Sequence, residues 1–241
     1  MEIGARENQE DAIRIQDKVI QKDHYRERLQ LEGEKLLFVV CDGMGGHAYG
    51  ELASLWTAEH CSELLKAKSP QEAQETLFAL QLESEKELPE NTGTTIAFCL
   101  ITPEKIITGN AGDSRVYGVS QNHIFPMSHD HSVVQEMIDD GIIRPEDARR
   151  HPARNQITLG IGPAFRLEWK SPKRAFAAEF ATQRVDYVLL CSDGLTDNVD
   201  DQEILEHIQV AELDAPELLY ERAAEGTIWL DNTSIILIRI R

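Results

Sequence analysis

Long apolar runs, regularly spaced cysteines and a surplus of positive charge are all missing from this chain of 241 residues. No stretch approaches the roughly 18 consecutive apolar residues that a membrane-crossing helix needs, and the opening Met1-Glu2-Ile3-Gly4 does not read as a signal peptide. A cytoplasmic location with no membrane partner is expected. Cysteine is confined to Cys41, Cys61, Cys99 and Cys191, with no CxxC spacing and with three of the 4 inside apolar runs, which reads as reduced core residues. Lys and Arg number 24 against 42 acids, for a net charge of −18, so the phosphates of a nucleic acid would be repelled. That balance suits a protein that concentrates cations, although most of the acids simply make a solvated surface. No Pro/Gly/Ser-rich linker divides the chain, so a single domain over 1–241 is expected.

What is present is organised around Phe38-Val39-Val40-Cys41-Asp42-Gly43-Met44-Gly45-Gly46-His47. The run 36–41 is continuously apolar and too short for a typical helix, so it reads as a strand covered on both faces, and it ends in an acid. The glycines let the backbone turn tightly, and Gly43 can present its carbonyl with no side chain in the way. Tyr187-Val188-Leu189-Leu190-Cys191-Ser192-Asp193-Gly194 repeats the arrangement. Two carboxylates at buried strand ends repel each other unless a cation or a shared proton compensates, and a divalent metal site is the economical reading.

In chain order, Arg6-Glu7-Asn8-Gln9-Glu10-Asp11 leads into a short strand at 12–15. This is either a solvated charge cluster or a site at which Arg6 grips an oxyanion while Glu10 and Asp11 face a cation. Residues 49–66 carry apolar positions at helical spacing, and 69–87 read as a second helix with Ser69 and Pro70 at its start. The glycine-rich lead-in to the first helix fits no P-loop, because no Gly-Lys-Ser/Thr follows Gly45-Gly46. Residues 94–101, 105–110 and 114–119 are closely spaced strand patterns, expected to form hairpins of an antiparallel sheet. Asp113 falls in the turn Asn110-Ala111-Gly112-Asp113-Ser114-Arg115, where an acid can be ordinary turn chemistry. Helical patterns at 131–140 and 145–150, followed by His151-Pro152-Ala153-Arg154-Asn155, make an insertion, either a flap over a site or a plain surface excursion. Helices are expected at 200–210 and 215–224, and Asp231 adjoins a final apolar strand at 235–240.

Taken together, the motifs resemble the bacterial branch of the PPM family, the metal-dependent type 2C serine/threonine protein phosphatases. The matches are Arg6-x-x-x-Glu10-Asp11, Asp42-Gly43-Met44-Gly45-Gly46-His47-Ala48-x-Gly50-Glu51, Gly93-Thr94-Thr95, Asn110-Ala111-Gly112-Asp113-Ser114-Arg115-Val116-Tyr117 and Asp130-His131-Ser132. They continue through His151-Pro152-x-Arg154-Asn155-x-Ile157-Thr158, Ser192-Asp193-Gly194-Leu195-Thr196-Asp197 and Asp231-Asn232, in family order over essentially the whole chain. The resemblance implies an α+β fold, a four-layer α-β-β-α sandwich of two antiparallel sheets flanked by helices, with two metals in a cleft at one end and the flap around 131–155. Carried over residue by residue, Asp42 would bridge both metals, while Asp193 and Asp231 complete the first metal's shell. Glu10, through water, and the Gly43 carbonyl would serve the second, with Asp11 in support. Asp113 would help hold a weaker third ion, and Arg6 would bind the substrate phosphate.

Oxygen-only ligands select a hard cation such as Mn²⁺ or Mg²⁺ over zinc. Such ions activate a bridging hydroxide for in-line attack on phosphorus, with no covalent enzyme intermediate. A cysteine phosphatase would need Arg six positions after its nucleophile, where this chain has His47, Ala67, Lys105 and Asp197. Neither an Asp-x-Asp nucleophile motif nor a Gly-Asp-x-His-Gly metal motif is found. Three departures stand out. Gln9 replaces a common Asn and keeps an amide; Leu159-Gly160-Ile161-Gly162 lacks the usual arginine; Met44 stands where animal members carry a histidine thought to protonate the leaving group. His47 could take that role, or be a structural histidine. The expected function is hydrolysis of phosphoserine and phosphothreonine on proteins by a monomer, opposing a serine/threonine kinase. The alternatives are a catalytically silent domain on the same scaffold, which loss of a core carboxylate would signal, and another two-metal phosphohydrolase or nuclease, which the acidic balance disfavours.

Overall fold

The computed structural model describes residues 1–44, 49–225 and 227–240. Ten strands form two antiparallel sheets: β1 (Asp11–Ile15), β2 (Lys18–Ile20), β3 (Leu36–Asp42), β4 (Ile96–Ile101), β5 (Lys105–Ala111), β6 (Arg115–Ser120), β7 (His123–Pro126), β8 (Phe176–Ala181), β9 (Tyr187–Cys191) and β10 (Ile235–Arg239). The first sheet runs β2-β1-β3-β4-β5-β8 and the second β10-β9-β6-β7. The helices are α1 (Gly50–His60), α2 (Pro70–Glu87), α3 (Val133–Asp139), α4 (Pro145–Ala148), α5 (Asp193–Thr196), α6 (Asp201–Ala211) and α7 (Ala215–Ala224).

The period-two alternation of a strand assigns each apolar face to a layer. In β3, Leu37, Val39 and Cys41 pack toward Ala53, Trp56, Leu77 and Leu80 of α1 and α2. Phe38 and Val40 turn inward to meet Val188, Leu190 and Ile236 of the other sheet. In β9, Leu189 and Cys191 face Ile204, Leu205, Ile208 and Leu219 of α6 and α7. Three apolar layers therefore separate four layers of structure, α-β-β-α, and the continuously apolar strands are covered on both faces as their composition demands. Each large apolar side chain so buried contributes roughly 1.5–3 kcal/mol. All four cysteines are free and buried.

Local signals set the helix starts. Ser69 accepts from the Glu72 N–H ahead of Pro70, and Asp200 with Glu203 forms a capping box on α6. The helical pattern over 49–66 ends as α-helix at His60 and continues as a 3₁₀ turn over Cys61–Lys66.

The expectation of successive hairpins needs a correction. β4 and β5 form one, but β6 does not pair with β5; it joins β9 and β7 in the second sheet. The crossing occurs at Gly112, whose φ of 111° lies in the region that favours glycine and whose Cα faces Thr95, so that a Cβ would meet the Thr95 Cβ at 2.6 Å. β2, β7 and β8 carry no strand signal that the sequence reading used. β2 has 3 residues, β7 has 4, and both β2 and β8 are edge strands.

Candidate active site

The site forms where the ends of both sheets meet. Asp42 closes β3, Asp193 opens α5 directly after β9, and Asp231 precedes β10. These three acids, with Arg6, Gly43 and Met44, line one cleft of about 710 Å³. The separate apolar strands thus converge their terminal acids on a shared space.

The backbone at Asp42 is held tightly. Its N–H donates to Thr95 Oγ1 at 3.0 Å, and its carbonyl accepts from Thr95 N and Thr94 Oγ1, both at 2.8 Å. This gives Gly93-Thr94-Thr95 a physical role that the sequence reading left unassigned. Gly43 donates to the Glu10 carbonyl at 3.0 Å and faces the backbone so closely that a Cβ would meet Gly50 O at 2.3 Å. Only glycine fits there.

Asp11 and Asp42 are register partners across β1 and β3. Like charges directly opposite are destabilising, and here Asp11 is fully buried while Asp42 is half-buried at the cleft. Asp11 accepts from Ser192 Oγ at 2.8 Å, while its Oδ1 is buried without a partner. Burial pushes its carboxyl up to about 6. Asp42 retains an edge on the cleft, yet burial, then the charges of Asp193, Asp11, Asp113 and Asp231, raise it well above the usual carboxylate range. Asp193 is raised likewise by burial and by Asp113, Asp197 and Asp231, with the adjoining Asp42 carboxyl opposing that rise.

Asp113 does not line the cleft, but its charge acts on both Asp42 and Asp193. Burial and the Asp130 charge push it up to about 7 against the pull of Arg115, and its Oδ1 is also buried and unpartnered. Beside it, Arg115 forms a bidentate pair with Asp130, with Nη2 to Oδ2 at 2.6 Å.

Arg6 and Glu10 approach from the N-terminal loop. Arg6 Nη2 donates to Asp231 Oδ2 at 2.5 Å, so a residue expected to hold phosphate also contacts a predicted metal ligand. Glu10 lies with Arg6 along a neighbouring groove rather than along the carboxylate cleft, and burial raises its carboxyl. Asn232 ties this loop to the rest of the site. Its Nδ2 donates to the carbonyls of Ile3 at 2.8 Å and Asn8 at 3.1 Å, and its Oδ1 accepts from Glu10 N at 2.7 Å. In the sequence Asn232 stands within the Asp231-Asn232 motif with no local sign of this role. Gln9 keeps its amide at work, accepting from Asp11 N at 3.0 Å and donating to Lys22 O at 3.3 Å.

The insertion around 131–155 returns along the cleft. Ser132 bridges Ile157, and Thr158 N donates to the His131 carbonyl at 2.8 Å. Asn155, Gln156, Ile157 and Thr158 then form one wall, in which Thr158 Oγ1 is buried and unpartnered. Ala164, Phe165 and Glu168 complete that side. Nothing in the sequence marks these three, since a short 3₁₀ turn and the loop after it carry no periodic signal. His47 lies outside the described residues.

The donor set fits a hard cation. It consists of carboxylate oxygens, three of the deep ones, on Asp11, Asp113 and Asp193, being unpartnered, and among the described residues no buried cation beside Asp42 offsets the clustered charge. Among the described residues, no three His, Cys, Asp or Glu side chains close into a ready-made ligand cage, so the site is a cleft of converging acids.

The profile of the family Protein phosphatase 2C matches residues 1–137. The chain is 35% identical over 187 residues to the serine/threonine phosphatase stp of Listeria monocytogenes serovar 1/2a, spanning 70% of each protein. Its fold superposes on the crystal structure of the serine/threonine phosphatase Stp1 from Staphylococcus aureus with a TM-score of 0.77 at 29% identity, covering 100% of this chain and 98% of that one. The catalytic domain of the phosphatase PstP, solved in complex with 2 manganese ions, shares the fold at 24% identity and a TM-score of 0.65, over 94% of this chain and 98% of that one. The chain belongs to the protein phosphatase 2C family. Within that family it stands with the bacterial serine/threonine phosphatases.

Proposed function

We propose that the protein removes phosphate from phosphoserine and phosphothreonine on proteins, using divalent cations held at the cleft, and that 1–241 forms one catalytic domain with a flap around 131–155. The observation that carries this reading is the convergence of Asp42, Asp193 and Asp231, with Arg6 and Gly43, on a single cleft. Asp42, Asp193 and Asp231 would hold one ion. Asp42, Gly43 and Glu10 would serve a second with Asp11 behind them, and Asp113 a weaker third. Mn²⁺ and Mg²⁺ suit these ligands, and PstP, which carries two manganese ions, supports the choice. When bound, such ions supply Lewis acidity and an activated water.

The chain's own groups do the rest. The guanidinium of Arg6 has five N–H donors, and its contact with Asp231 occupies only one nitrogen, leaving others to grip phosphate oxygens. The clamp on Asp42 by Thr94 and Thr95 fixes the central carboxylate against repulsion from Asp11 and Asp193. Met44 lines the cleft and cannot donate a proton, so protonation of the leaving group falls to His47 or to water. A silent domain on this scaffold would require a missing core carboxylate, and each one is present.

Partners would be phosphoprotein substrates and, through them, a kinase pathway, with the protein acting as a cytoplasmic monomer that does not bind nucleic acid. Among the described residues, no helix is long and apolar enough to cross a membrane. The test is turnover of p-nitrophenyl phosphate and of a phosphothreonine peptide with added Mn²⁺ or Mg²⁺. Activity on both that disappears in chelator is expected; full activity in chelator overturns the reading.

A further inference from the structure

Arg6 lines two cavities. One is the carboxylate cleft, and the other is a groove of about 580 Å³ that also borders Ala5, Glu7, Glu10, Trp229 and Leu230. The chemistry of the cleft makes no use of this groove's outer wall.

The groove is held in shape by backbone contacts. Ala5 N donates to the Leu230 carbonyl at 2.7 Å, and Gly4, at φ 64°, lies so close that a Cβ would meet Asp231 O at 2.4 Å. Leu230 is buried and joins the apolar layer beneath α6 and α7. Trp229 next to it is 82% exposed, and Ile228 beyond it is 81% exposed. An indole carries a large apolar area with one polar N–H, and such side chains dominate binding energy where a partner covers them. Glu7, which also lines the groove, is exposed, and among the described residues it makes no ion pair or hydrogen bond.

We propose that this groove seats the polypeptide flanking the phosphorylated residue of a protein substrate, with an apolar or aromatic side chain against Trp229 and Leu230 and a basic side chain opposite Glu7. The inference rests on the adjoining cleft being the phosphoresidue site. Continuity supports it, because a phosphate gripped by Arg6 in the cleft leaves the flanking chain at the mouth of a groove that Arg6 also lines. Charge supports it too, since Glu7 and a net charge of −18 repel an acidic flank.

The experiment uses the full chain loaded with Mn²⁺, p-nitrophenyl phosphate, and two phosphothreonine peptides, one with Arg and Leu flanks and one with Asp and Gly flanks. Wild type is expected to prefer the basic, apolar peptide. Trp229→Ala should raise KM for that peptide about tenfold while kcat and KM for p-nitrophenyl phosphate stay within about twofold. Glu7→Gln should narrow the preference between the peptides with the same small-substrate kinetics. Unchanged peptide kinetics in both variants overturns the proposal, as does a parallel loss on the small substrate and the peptides. A dimer of wild type that Trp229→Ala dissociates assigns the face to a second copy and also overturns it. Absence of wild-type turnover on every substrate overturns the phosphatase reading itself, an outcome distinct from the others.

Discussion

Glu10 N donates to Asn232 Oδ1 at 2.7 Å across a separation of 222 residues, and the same side chain's amide holds the carbonyls of Ile3 and Asn8. One buried asparagine therefore sets the position of the loop that carries both Arg6 and Glu10. It sits next in sequence to Asp231, whose Oδ1 accepts from Asn232 N at 2.8 Å. The loop and the acid that Arg6 touches thus share one residue as a tie, beside the backbone bonds of Ala5 to Leu230 and of Gly43 to Glu10.

Asn232→Ala leaves the Glu10 N–H and two carbonyls without their partner. A stability loss of roughly 1–3 kcal/mol is expected. Because small misplacements of binding groups are costly, kcat/KM for p-nitrophenyl phosphate should fall at least about tenfold. Urea denaturation and steady-state kinetics check both, and wild-type kinetics in a destabilised variant would show that the loop is held by other means.

Asp42→Asn should abolish turnover, by roughly a thousandfold or more. In chelator the same variant should melt at a higher temperature than wild type, because it removes a carboxyl that burial and neighbouring acids force to take up a proton on folding. Calorimetry of both proteins without metal decides the second point.

Arg6→Ala tests the division between phosphate and metal. Loss of a charge-assisted contact worth about 1.5–3 kcal/mol should raise KM by roughly ten- to a hundredfold. The Mn²⁺ concentration for half-maximal activity should stay level or drop, since the guanidinium no longer competes for Asp231. A large rise in that concentration with KM unchanged would assign Arg6 to the metal shell instead.

Metal-free stability should depend on pH with a defined sign. Asp11 is pushed up to about 6 and Asp113 to about 7, both primarily by burial, so the folded state holds protons that the unfolded state has released. Stability with respect to these groups is therefore full at and below about pH 4 and is lost as pH rises from there through about 7. Melting temperatures in chelator should decline from pH 5 to pH 8, and Mn²⁺ should restore them at the upper end. A rising profile in chelator would contradict the buried-acid account.

Much of this was legible in the sequence because it depends on local order. An uninterrupted apolar run such as 36–41, too short for a typical helix, favours a doubly covered strand, and an acid at its end falls at the rim of the layers. Asp42, Asp193 and Asp231 follow that rule, and the helix starts at Ser69 and Asp200 follow from side chains that accept from the N–H groups of Glu72 and Glu203, three residues on. Tertiary structure decided what local order leaves free. The pairing partner of β6 was not encoded in its spacing from β5, because a glycine at φ 111° lets the chain change sheets where a hairpin would otherwise close. The strut at Asn232, the wall formed by Phe165 and Glu168, and the placement of Glu10 in the neighbouring groove all arise from contacts between segments distant along the chain. Periodicity reports which face of an element is apolar; only packing decides which element that face meets, and so which acids share a cleft.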